Sequence, residues 1–410
     1  MEYFDALETR TPEVRERQQM AALPSLIAFA KVYAPAWAEL LDGVDAEAVN
    51  TRDALAKLPV VRKNELTERQ QAARPFGGFV GEWRGRVGRV FSSPGPIYEP
   101  EGRGADYWRT ARAMFAAGFR AGDLVHNSFS YHMTPGAWIM EAGVHALGGT
   151  VFPGGVGQTE QQLQAMADLH PDAYVGTPSF LKILLEKADE LQIDVSSLKK
   201  ALVSGEAFPP SLRDALAARG VNAFQTYATA DLGVIAYESA AREGLIADEG
   251  VIVEIVRPGT GDPVPEGEVG EVVVTAFNRD YPLIRFGTGD LSAVLPGASP
   301  CGRTALRIKG WMGRADQTTK IRGMFVHPKQ VDTVAKRFPE VARARLVVSG
   351  EMANDIMILK VEADTAAQDL AARIGDAVRE VTKLRAQIEV VAMGSLPNDG
   401  KVIEDARTYQ

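Results

Sequence analysis

The chain has little cysteine, no excess of positive charge and no long apolar run, and each shortage excludes a class of protein. Cys301 is the only cysteine among 410 residues, which excludes an internal disulfide and a zinc site made of thiolates. The formal net charge of −8 gives no basic surface of the kind that binds nucleic acid. No apolar run approaches the roughly 20 residues that cross a bilayer, and the first residues, MEYFDALETR, lack the apolar centre of a signal peptide. These absences predict a cytoplasmic protein that has no nucleic-acid or membrane partner.

The residues that are present predict a large α/β protein. The chain is 46% hydrophobic, which is enough to bury a large core in two or three structural units. Residues 1 to about 75 have helical patterning that Pro24 and Pro35 are expected to break. From Ala105, short apolar strands alternate with helices of about 10 to 15 residues, which predicts a mostly parallel sheet covered by helices on both faces. Ligands of such sheets bind at the carboxyl ends of the strands.

The pattern changes twice in the second half of the chain. Residues 250–276 contain two β-rich runs around the turn GTGDPVPEGEVG, which predicts antiparallel structure with a hairpin. After residue 316, helices and strands restart, and one long helix has a single apolar face. The sequence therefore predicts a large N-terminal domain over 1–315, with a small β subdomain at about 250–312, and a small α+β domain over 316–410.

Two polar clusters lie where these patterns meet, between residues 282 and 328. Arg285, Asp290 and Arg314 stand beside glycines, where turns can bring the backbone close to a ligand. An Asp that follows an apolar strand suits a ribose diol, because a carboxylate accepts two hydroxyl hydrogen bonds at once. Either cluster alone is explained by a surface turn with solvated charges, and it is their combination and order that indicate a ligand site.

The order of these clusters resembles the adenylate-forming enzymes, and within them the phenylacetate-CoA ligase branch. The matching segments are RFGTGD from Arg285 to Asp290, GRAD from Gly313 to Asp316, and IRG from Ile321 to Gly323. The resemblance implies that Asp290 and Arg314 bind the ribose of ATP. It also implies a mobile C-terminal domain with a hinge at Asp316, and a turn at Arg322 and Gly323 that reaches the coenzyme A side of the site.

The family's phosphate loop corresponds here to the segment VGRVFSSPGPIYEPEG. Ser92, Ser93 and Gly95 remain as expected phosphate ligands. However, the segment has no lysine, its two prolines at 94 and 96 remove amide donors, and Glu99 and Glu101 add negative charge. A structural Pro-Gly turn is the alternative interpretation.

The adenine and metal positions of the family also have counterparts. The turn Ser204, Gly205, Glu206, Ala207 resembles the one whose backbone borders the adenine. YATAD resembles the motif in which Tyr227 stacks on adenine and Ala228 replaces a glycine. In that motif Asp231 stands in for the glutamate that holds Mg²⁺, since hard cations prefer carboxylate oxygens. A strand-to-helix turn with Asp231 as its cap is the alternative.

The expected acyl pocket is lined by Phe129, Tyr131 and His132, with Ala230 in place of a hydroxyl residue. His132 is as readily explained as a satisfied polar residue in a turn. Near the end of the chain, SLPNDGK resembles the family's terminal motif, which implies that Lys401 is the catalytic lysine of adenylation.

The resemblance therefore implies an ATP-dependent carboxylic acid-CoA ligase that uses ATP, Mg²⁺ and coenzyme A and acts on an aromatic acid such as phenylacetate or benzoate. Two alternatives stay open. One is a ligase for a small or hydroxylated aliphatic acid, and the other is a nucleotide- or acyl-binding homologue in which the altered phosphate loop weakens adenylation. The family often forms dimers, which leaves a homodimer open for this chain.

Overall fold

The computed structural model describes residues 2–93, 97–257, 260–315, 319–326, 328–350, 354–363, 369–397 and 402–407. The chain divides into two compact units, Met1–Met312 and Gly313–Gln410. Both combine helices with sheets, so the mixed α/β class that the sequence predicts is confirmed. Within the described residues, none of the helices combines the length and the apolar character that crossing a membrane requires.

Helices of the first unit include two short 3₁₀ turns, Ala6–Thr9 and Ala46–Ala48. The α-helices are α1 (Pro12–Tyr33), α2 (Pro35–Leu40), α3 (Arg52–Ala56), α4 (Lys63–Ala72), α5 (Thr110–Ala116), α6 (Gly136–Ala146), α7 (Thr159–Leu169), α8 (Pro178–Leu191) and α9 (Pro210–Ala218).

Strands of the first unit alternate with these helices in its central part. They are β1 (Val61–Arg62), β2 (Arg89–Ser93), β3 (Ile97–Glu101), β4 (Leu124–Asn127), β5 (Thr150–Pro153), β6 (Ala173–Gly176), β7 (Lys200–Val203), β8 (Asn222–Thr229), β9 (Gly233–Tyr237), β10 (Leu245–Ala247), β11 (Val251–Val256), β12 (Gly270–Ala276), β13 (Phe286–Ser292), β14 (Val294–Leu295) and β15 (Arg307–Ile308).

Helix α1 differs from the expectation that Pro24 would break it. Thr11 caps its start by accepting a hydrogen bond from the Val14 amide, and Pro12 occupies the first turn, where no amide donor is needed. The helix then runs through Pro24, because Leu23, Leu26 and their apolar neighbours are buried in the core and hold the chain on both sides of it. Of the two prolines expected to break the helical segment, Pro35 lies at a helix boundary and Pro24 does not.

The large sheet has nine strands in the order β14-β15-β10-β9-β8-β7-β6-β4-β5. Strands β5, β4, β6, β7 and β8 are parallel, and the pairs from β8 to β14 are antiparallel. Apolar runs form the buried strands, and β6 is buried at every position. As a result, the carboxyl ends of β4, β6, β7 and β8 meet at one edge of the sheet.

A second sheet has the order β1-β13-β12-β11, and its apolar face packs in the same core as helix α1. Strand β13 carries Asp290 and continues to Ser292, and the N-terminal strand β1 pairs with it in parallel. Strands β2 and β3 form a separate antiparallel hairpin. The sheet that carries Asp290 is therefore completed by residues far from it in sequence.

The second unit is a small α+β structure with its own apolar core. A four-stranded sheet has the order β20-β19-β18-β21, and the unit also contains the two-stranded hairpin β16-β17. The elements are β16 (Thr319–Ile321), β17 (Met324–Val326), α10 (Pro328–Ala335), β18 (Val341–Ser349), β19 (Ile356–Ala363), α11 (Leu370–Thr382), β20 (Gln387–Val391) and β21 (Ile403–Asp405).

Candidate active site

Tyr227 and Asp290, the expected adenine and ribose residues, are brought together by the two sheets. The Tyr227 hydroxyl donates a hydrogen bond of 2.8 Å to Asp290 Oδ2. The Trp311 indole nitrogen donates one of 3.1 Å to Asp290 Oδ1. Asp290 is 9% exposed, and Ala228 and Ala230 lie half-buried in the stretch that follows Tyr227. Both oxygens of the carboxylate are thus oriented by donors, and a carboxylate oxygen can accept more than one hydrogen bond.

The expected adenine turn follows strand β7 at the same sheet edge. Ser204 is buried, and its hydroxyl donates to the Thr226 carbonyl at 2.8 Å, which ties the turn to strand β8. Gly205 and Glu206 are exposed and Ala207 is half-buried. Gly205 has a φ of +81°, a left-handed conformation that glycine adopts without strain. The turn therefore offers backbone to a ligand, whereas the Ser204 side chain serves the fold.

Phe129 and Tyr131, expected in the acyl pocket, follow strand β4. A Cβ added at Gly205 would lie 3.7 Å from the Phe129 ring, so Phe129 adjoins the adenine turn. His132 is exposed at the tip of the segment. The expected aromatic wall is thus adjacent to the expected nucleoside residues.

Tyr131 belongs to a short chain of polar groups. Asn127 Nδ2 donates to the Tyr131 hydroxyl at 2.9 Å, and that hydroxyl donates to Glu141 Oε2 at 2.8 Å. The Tyr131 ring also stands edge-on to Trp138, with ring centres 5.2 Å apart. Burial, followed by the hydrogen bond to Glu141, raises the pKa of the Tyr131 hydroxyl above its usual range. The segment around Tyr131 therefore combines aromatic rings with a Glu141 carboxyl group that accepts a hydrogen bond.

The strands on either side of residues 94–96 of the expected phosphate loop pair as an antiparallel hairpin. Ser93 pairs with Ile97 across it, and Gly95 lies outside the described residues. The Ser93 hydroxyl donates to Glu99 Oε1 at 2.5 Å, and Ser93 is buried. The Ser92 amide donates to the Met133 carbonyl at 2.9 Å, which joins the hairpin to the acyl-side turn. The Ser93 side chain therefore binds a carboxylate of the hairpin itself.

Asp231, the expected metal ligand, lies in the turn between β8 and β9 and forms an ion pair that the sequence did not suggest. Lys63 Nζ donates to Asp231 Oδ2 at 2.9 Å and lies 3.7 Å from Glu99 Oε1. The side chains of Asp231 and Glu99 are 1% and 0% exposed, and that of Lys63 is 34% exposed. Two buried carboxylates thus share one lysine, and we call Lys63, Glu99 and Asp231 the acidic cluster.

The acidic cluster has two carboxyl groups and one cationic side chain. Burial, followed by the neighbouring charge of Asp231, raises the pKa of Glu99, and Lys63 opposes that shift. Burial and then the charges of Asp231 and Glu99 raise the pKa of Tyr281. Three buried polar atoms here have no hydrogen-bond partner among the described residues: Glu99 Oε2, Asp231 Oδ1 and Tyr281 Oη. Among all the residues that the structure describes, no group of three or more His, Cys, Asp or Glu side chains is arranged to hold a metal.

The remaining expected site residues belong to the second unit. Arg314 is half-buried. Arg322 stands in the exposed turn between β16 and β17, where its amide and its guanidinium both donate to Asp355 at 2.8 Å. Gly323 follows with a φ of +82°. Asp316 and Lys401, the expected hinge and catalytic lysine, lie outside the described residues.

Arg285, the first charged residue of the 282–328 segment, serves the fold. It is 1% exposed and pairs with Glu254 at 3.1 Å. Its terminal nitrogens donate to three carbonyls, those of Ala56, Leu58 and Gly261. The side chain thus ties the N-terminal segment to the sheet that carries Asp290, and it contributes to the site only through that sheet.

Sequence reasoning missed three residues that contact the expected site residues: Lys63, Trp311 and Glu141. A signal existed for Lys63, because it is the first residue of helix α4, where the helix dipole disfavours a cation unless carboxylates compensate. Trp311 lies in the GWMGRAD segment that carries the resemblance, but its contact with Asp290 is visible only in the folded chain. Glu141 gave no signal, since its role depends on contact with Tyr131.

Comparisons with known proteins identify relatives over most of the chain. Residues 108–277 match the family described as AMP-binding enzyme, and residues 323–406 match its C-terminal domain. A phenylacetate-coenzyme A ligase of Thermus thermophilus is 32% identical over an alignment of 382 positions, which covers 88% of this chain and 84% of that protein. The corresponding ligase of Aromatoleum evansii is 33% identical over 78% of this chain and 74% of its own length.

A solved structure agrees with these sequence relatives. A 2-hydroxyisobutyryl-CoA ligase, in complex with 2-HIB-AMP and CoA in the thioesterification state, superposes with a TM-score of 0.83 and 26% identity. The match covers 98% of this chain and 92% of that one. The likeness therefore extends over both units of the chain.

Proposed function

Since this chain belongs to the AMP-binding enzymes, in the branch that contains the phenylacetate-CoA ligases, we propose that it joins an aromatic carboxylic acid to coenzyme A by way of an acyl adenylate. The coarser activity, that of an AMP-forming acid-CoA ligase which uses ATP and coenzyme A, follows from the family itself. The reaction consumes ATP and coenzyme A, so we place it in the cytoplasm.

The observation that carries the proposal is the junction of Tyr227, Asp290 and Trp311. An oriented, nearly buried carboxylate beside a half-buried aromatic ring suits a nucleoside, because the ring can face a base while the carboxylate accepts the hydroxyls of the sugar. The exposed backbone of the Gly205 turn lies at the same sheet edge, where ligands of parallel sheets bind. This arrangement supports the assignment of the AMP site to this edge of the sheet.

The chemistry has two steps. An oxygen of the substrate carboxylate attacks the α-phosphorus of ATP, and pyrophosphate leaves. The thiolate of coenzyme A then attacks the acyl carbon, and AMP leaves with the bonding electrons. In the first step two anions approach each other, so Lys401 is assigned to hold positive charge between the carboxylate and the phosphate. Asp290 holds the ribose through both steps.

Magnesium fits the residues at the phosphate side. Asp231 Oδ1 is buried and has no hydrogen-bond partner within the described part of the chain, as a carboxylate oxygen awaiting a cation would be. Asp231 would hold the ion, which would neutralise phosphate charge when ATP is bound. Ser92 and Gly95 remain candidate phosphate contacts, while the Ser93 hydroxyl serves Glu99.

An acid that carries a hydrogen-bond donor is the second candidate substrate. Phe129, Tyr131 and Trp138 suit an aromatic ring. The half-buried Glu141 beside Tyr131 would in addition accept a hydrogen bond from a hydroxyl group. The relative that acts on a hydroxylated aliphatic acid makes this candidate concrete. Glu141→Gln should lower the preference for a hydroxylated acid over its unsubstituted analogue and leave phenylacetate use nearly unchanged.

The test is pyrophosphate release from Mg-ATP in the presence of phenylacetate, benzoate and 2-hydroxyisobutyrate, each with and without coenzyme A. Release with an aromatic acid, and thioester formation once coenzyme A is added, is the expected result. Release with the hydroxylated acid alone would replace the first candidate by the second. If ATP binds but no acid releases pyrophosphate, the protein is a binding homologue and the ligase proposal fails.

A further inference from the structure

The acidic cluster has one carboxylate more than the activity proposed above requires. Asp231 occupies the position of the metal-holding residue, whereas Glu99 comes from hairpin strand β3, in the segment that departs most from the family's phosphate loop. Glu99 is fully buried, and its Oε1 lies between the hydroxyl of Ser93 and the ammonium group of Lys63. A buried carboxyl group in this place takes up either a proton or a cation, because an uncompensated charge is strongly disfavoured away from water.

Several oxygens of the acidic cluster and of the neighbouring Tyr281 have no hydrogen-bond partner among the described residues. Ser93 and Lys63 reach Glu99 Oε1, and Lys63 reaches Asp231 Oδ2. Glu99 Oε2, Asp231 Oδ1 and the Tyr281 hydroxyl are buried, and the described residues offer them no partner. Buried polar groups are paired in folded proteins, so three buried oxygens without a partner among the described residues can be satisfied by a bound ion or by water. Oxygen donors of this kind are what hard divalent cations bind, and Mg²⁺ commonly uses one or two carboxylates and keeps several waters.

Lys63 is the member of the cluster that can move. Its side chain is 34% exposed, whereas those of Glu99 and Asp231 are 0% and 1% exposed. It also stands at the first position of helix α4, where the helix dipole disfavours a cation. An ion that arrives from solvent can therefore take the place of the ammonium group while the carboxylates stay in position.

We propose that Glu99 and Asp231, with the Tyr281 hydroxyl beside them, form a divalent-cation site that binds Mg²⁺ or Mn²⁺ in the absence of nucleotide and displaces the Lys63 ammonium group. The ion's part in adenylation rests on the proposed function, but its binding does not. The displaced Lys63 then carries its positive charge beside the phosphate-side residues, in a chain whose phosphate loop has no lysine.

The test is a titration of the nucleotide-free protein with Mn²⁺, followed by the loss of the free-ion EPR signal. The wild type should bind one ion at this site. Glu99→Gln and Asp231→Asn should each weaken binding by about tenfold or more, because each removes a charged ligand. The matched control is Glu101→Gln on the same strand, whose two oxygens already accept from Trp108 and Arg89 at 3.0 and 2.7 Å. The control should bind Mn²⁺ as the wild type does.

Lys63→Gln separates a metal site from a merely structural ion cluster. Removal of the competing ammonium group should tighten Mn²⁺ binding, whereas a structural cluster would lose stability and gain no affinity. Circular dichroism and thermal unfolding identify any variant that fails to fold. The proposal is overturned if Mn²⁺ binds only together with ATP, if Glu99→Gln binds as the wild type does, or if Lys63→Gln binds no more tightly.

These outcomes are independent of ligase activity. A protein that forms CoA thioesters but binds no Mn²⁺ without nucleotide loses this proposal alone. A protein that binds Mn²⁺ through Glu99 but activates no acid loses the proposed function alone.

Discussion

Asp290→Asn should lower kcat/KM for ATP, because it weakens the contact with the ribose, and it should leave the fold intact. Asparagine has the shape of aspartate, but it replaces one acceptor oxygen by a donor. The Trp311 indole can only donate, so the amide oxygen of the introduced asparagine must face it. The amide nitrogen then faces Tyr227, whose hydroxyl can rotate and accept. These two protein contacts survive, and the ribose loses an acceptor.

The magnitude follows from that lost contact. A hydrogen bond to a charged group contributes about 1.5–3 kcal/mol, which corresponds to about ten- to a hundredfold in kcat/KM for ATP. Tyr227→Phe removes one hydroxyl that donates to Asp290 and leaves the carboxylate in place. Its cost should be that of one ordinary hydrogen bond, about 0.5–1.5 kcal/mol.

The assay compares ATP with 2′-deoxy-ATP and 3′-deoxy-ATP in acid-dependent pyrophosphate release. The wild type should discriminate against at least one deoxynucleotide, and Asp290→Asn should lose most of that discrimination while its thermal unfolding stays near the wild-type value. Glu271→Gln is the matched control, since Glu271 is a buried carboxylate on the adjacent strand β12 that pairs with Arg62 at 3.0 Å. If Asp290→Asn discriminates as the wild type does, Asp290 does not bind the ribose.

Three further changes test other parts of the molecule. Lys401→Ala should slow adenylation by about 10² to 10³ and leave thioester formation from preformed acyl adenylate nearly unchanged, as expected for a charge that acts in the first step. Arg285→Met should lower the free energy of unfolding by about 3–5 kcal/mol in chemical denaturation, because it leaves Glu254 buried without its partner. Burial lowers the pKa of His126, so the unfolded chain binds the proton more readily and stability should fall as the pH drops below about 6.5. His126→Asn, measured by thermal unfolding across that range, should flatten the dependence.

Each of these has a result that contradicts it. Equal loss of both half-reactions in Lys401→Ala would remove its assignment to adenylation. An Arg285→Met protein as stable as the wild type would mean that its four hydrogen-bond acceptors find water instead. An unchanged pH dependence in His126→Asn would assign the effect to other groups, since His126 is held at 2.7 Å from Gln162 in a buried position.

Local patterns in the sequence were sufficient for the architecture. Alternation of apolar strands with helices predicted the parallel part of the large sheet, and its strands and helices are found between residues 124 and 229. The motif order around Asp290 identified the family, which the relatives confirm. Both depend on residues that are neighbours in the chain, and side-chain periodicity and turn chemistry are read directly from such neighbours. The Pro24 expectation was wrong because burial of the surrounding helix outweighs a single lost hydrogen bond.

The composition of the site depended on contacts between distant residues. Lys63 and Asp231 are 168 positions apart, and Arg285 meets carbonyls 229 and 227 positions away. A motif shows that a charged residue is present, but it does not show whether that charge faces a ligand, a carboxylate or the core. Sequence therefore determined the fold, the family and the positions of Tyr227 and Asp290. Only the tertiary structure decided that Arg285 is structural, that Glu99 is buried, and that Lys63 contacts Asp231 and Trp311 contacts Asp290, because burial and charge pairing are properties of the folded chain.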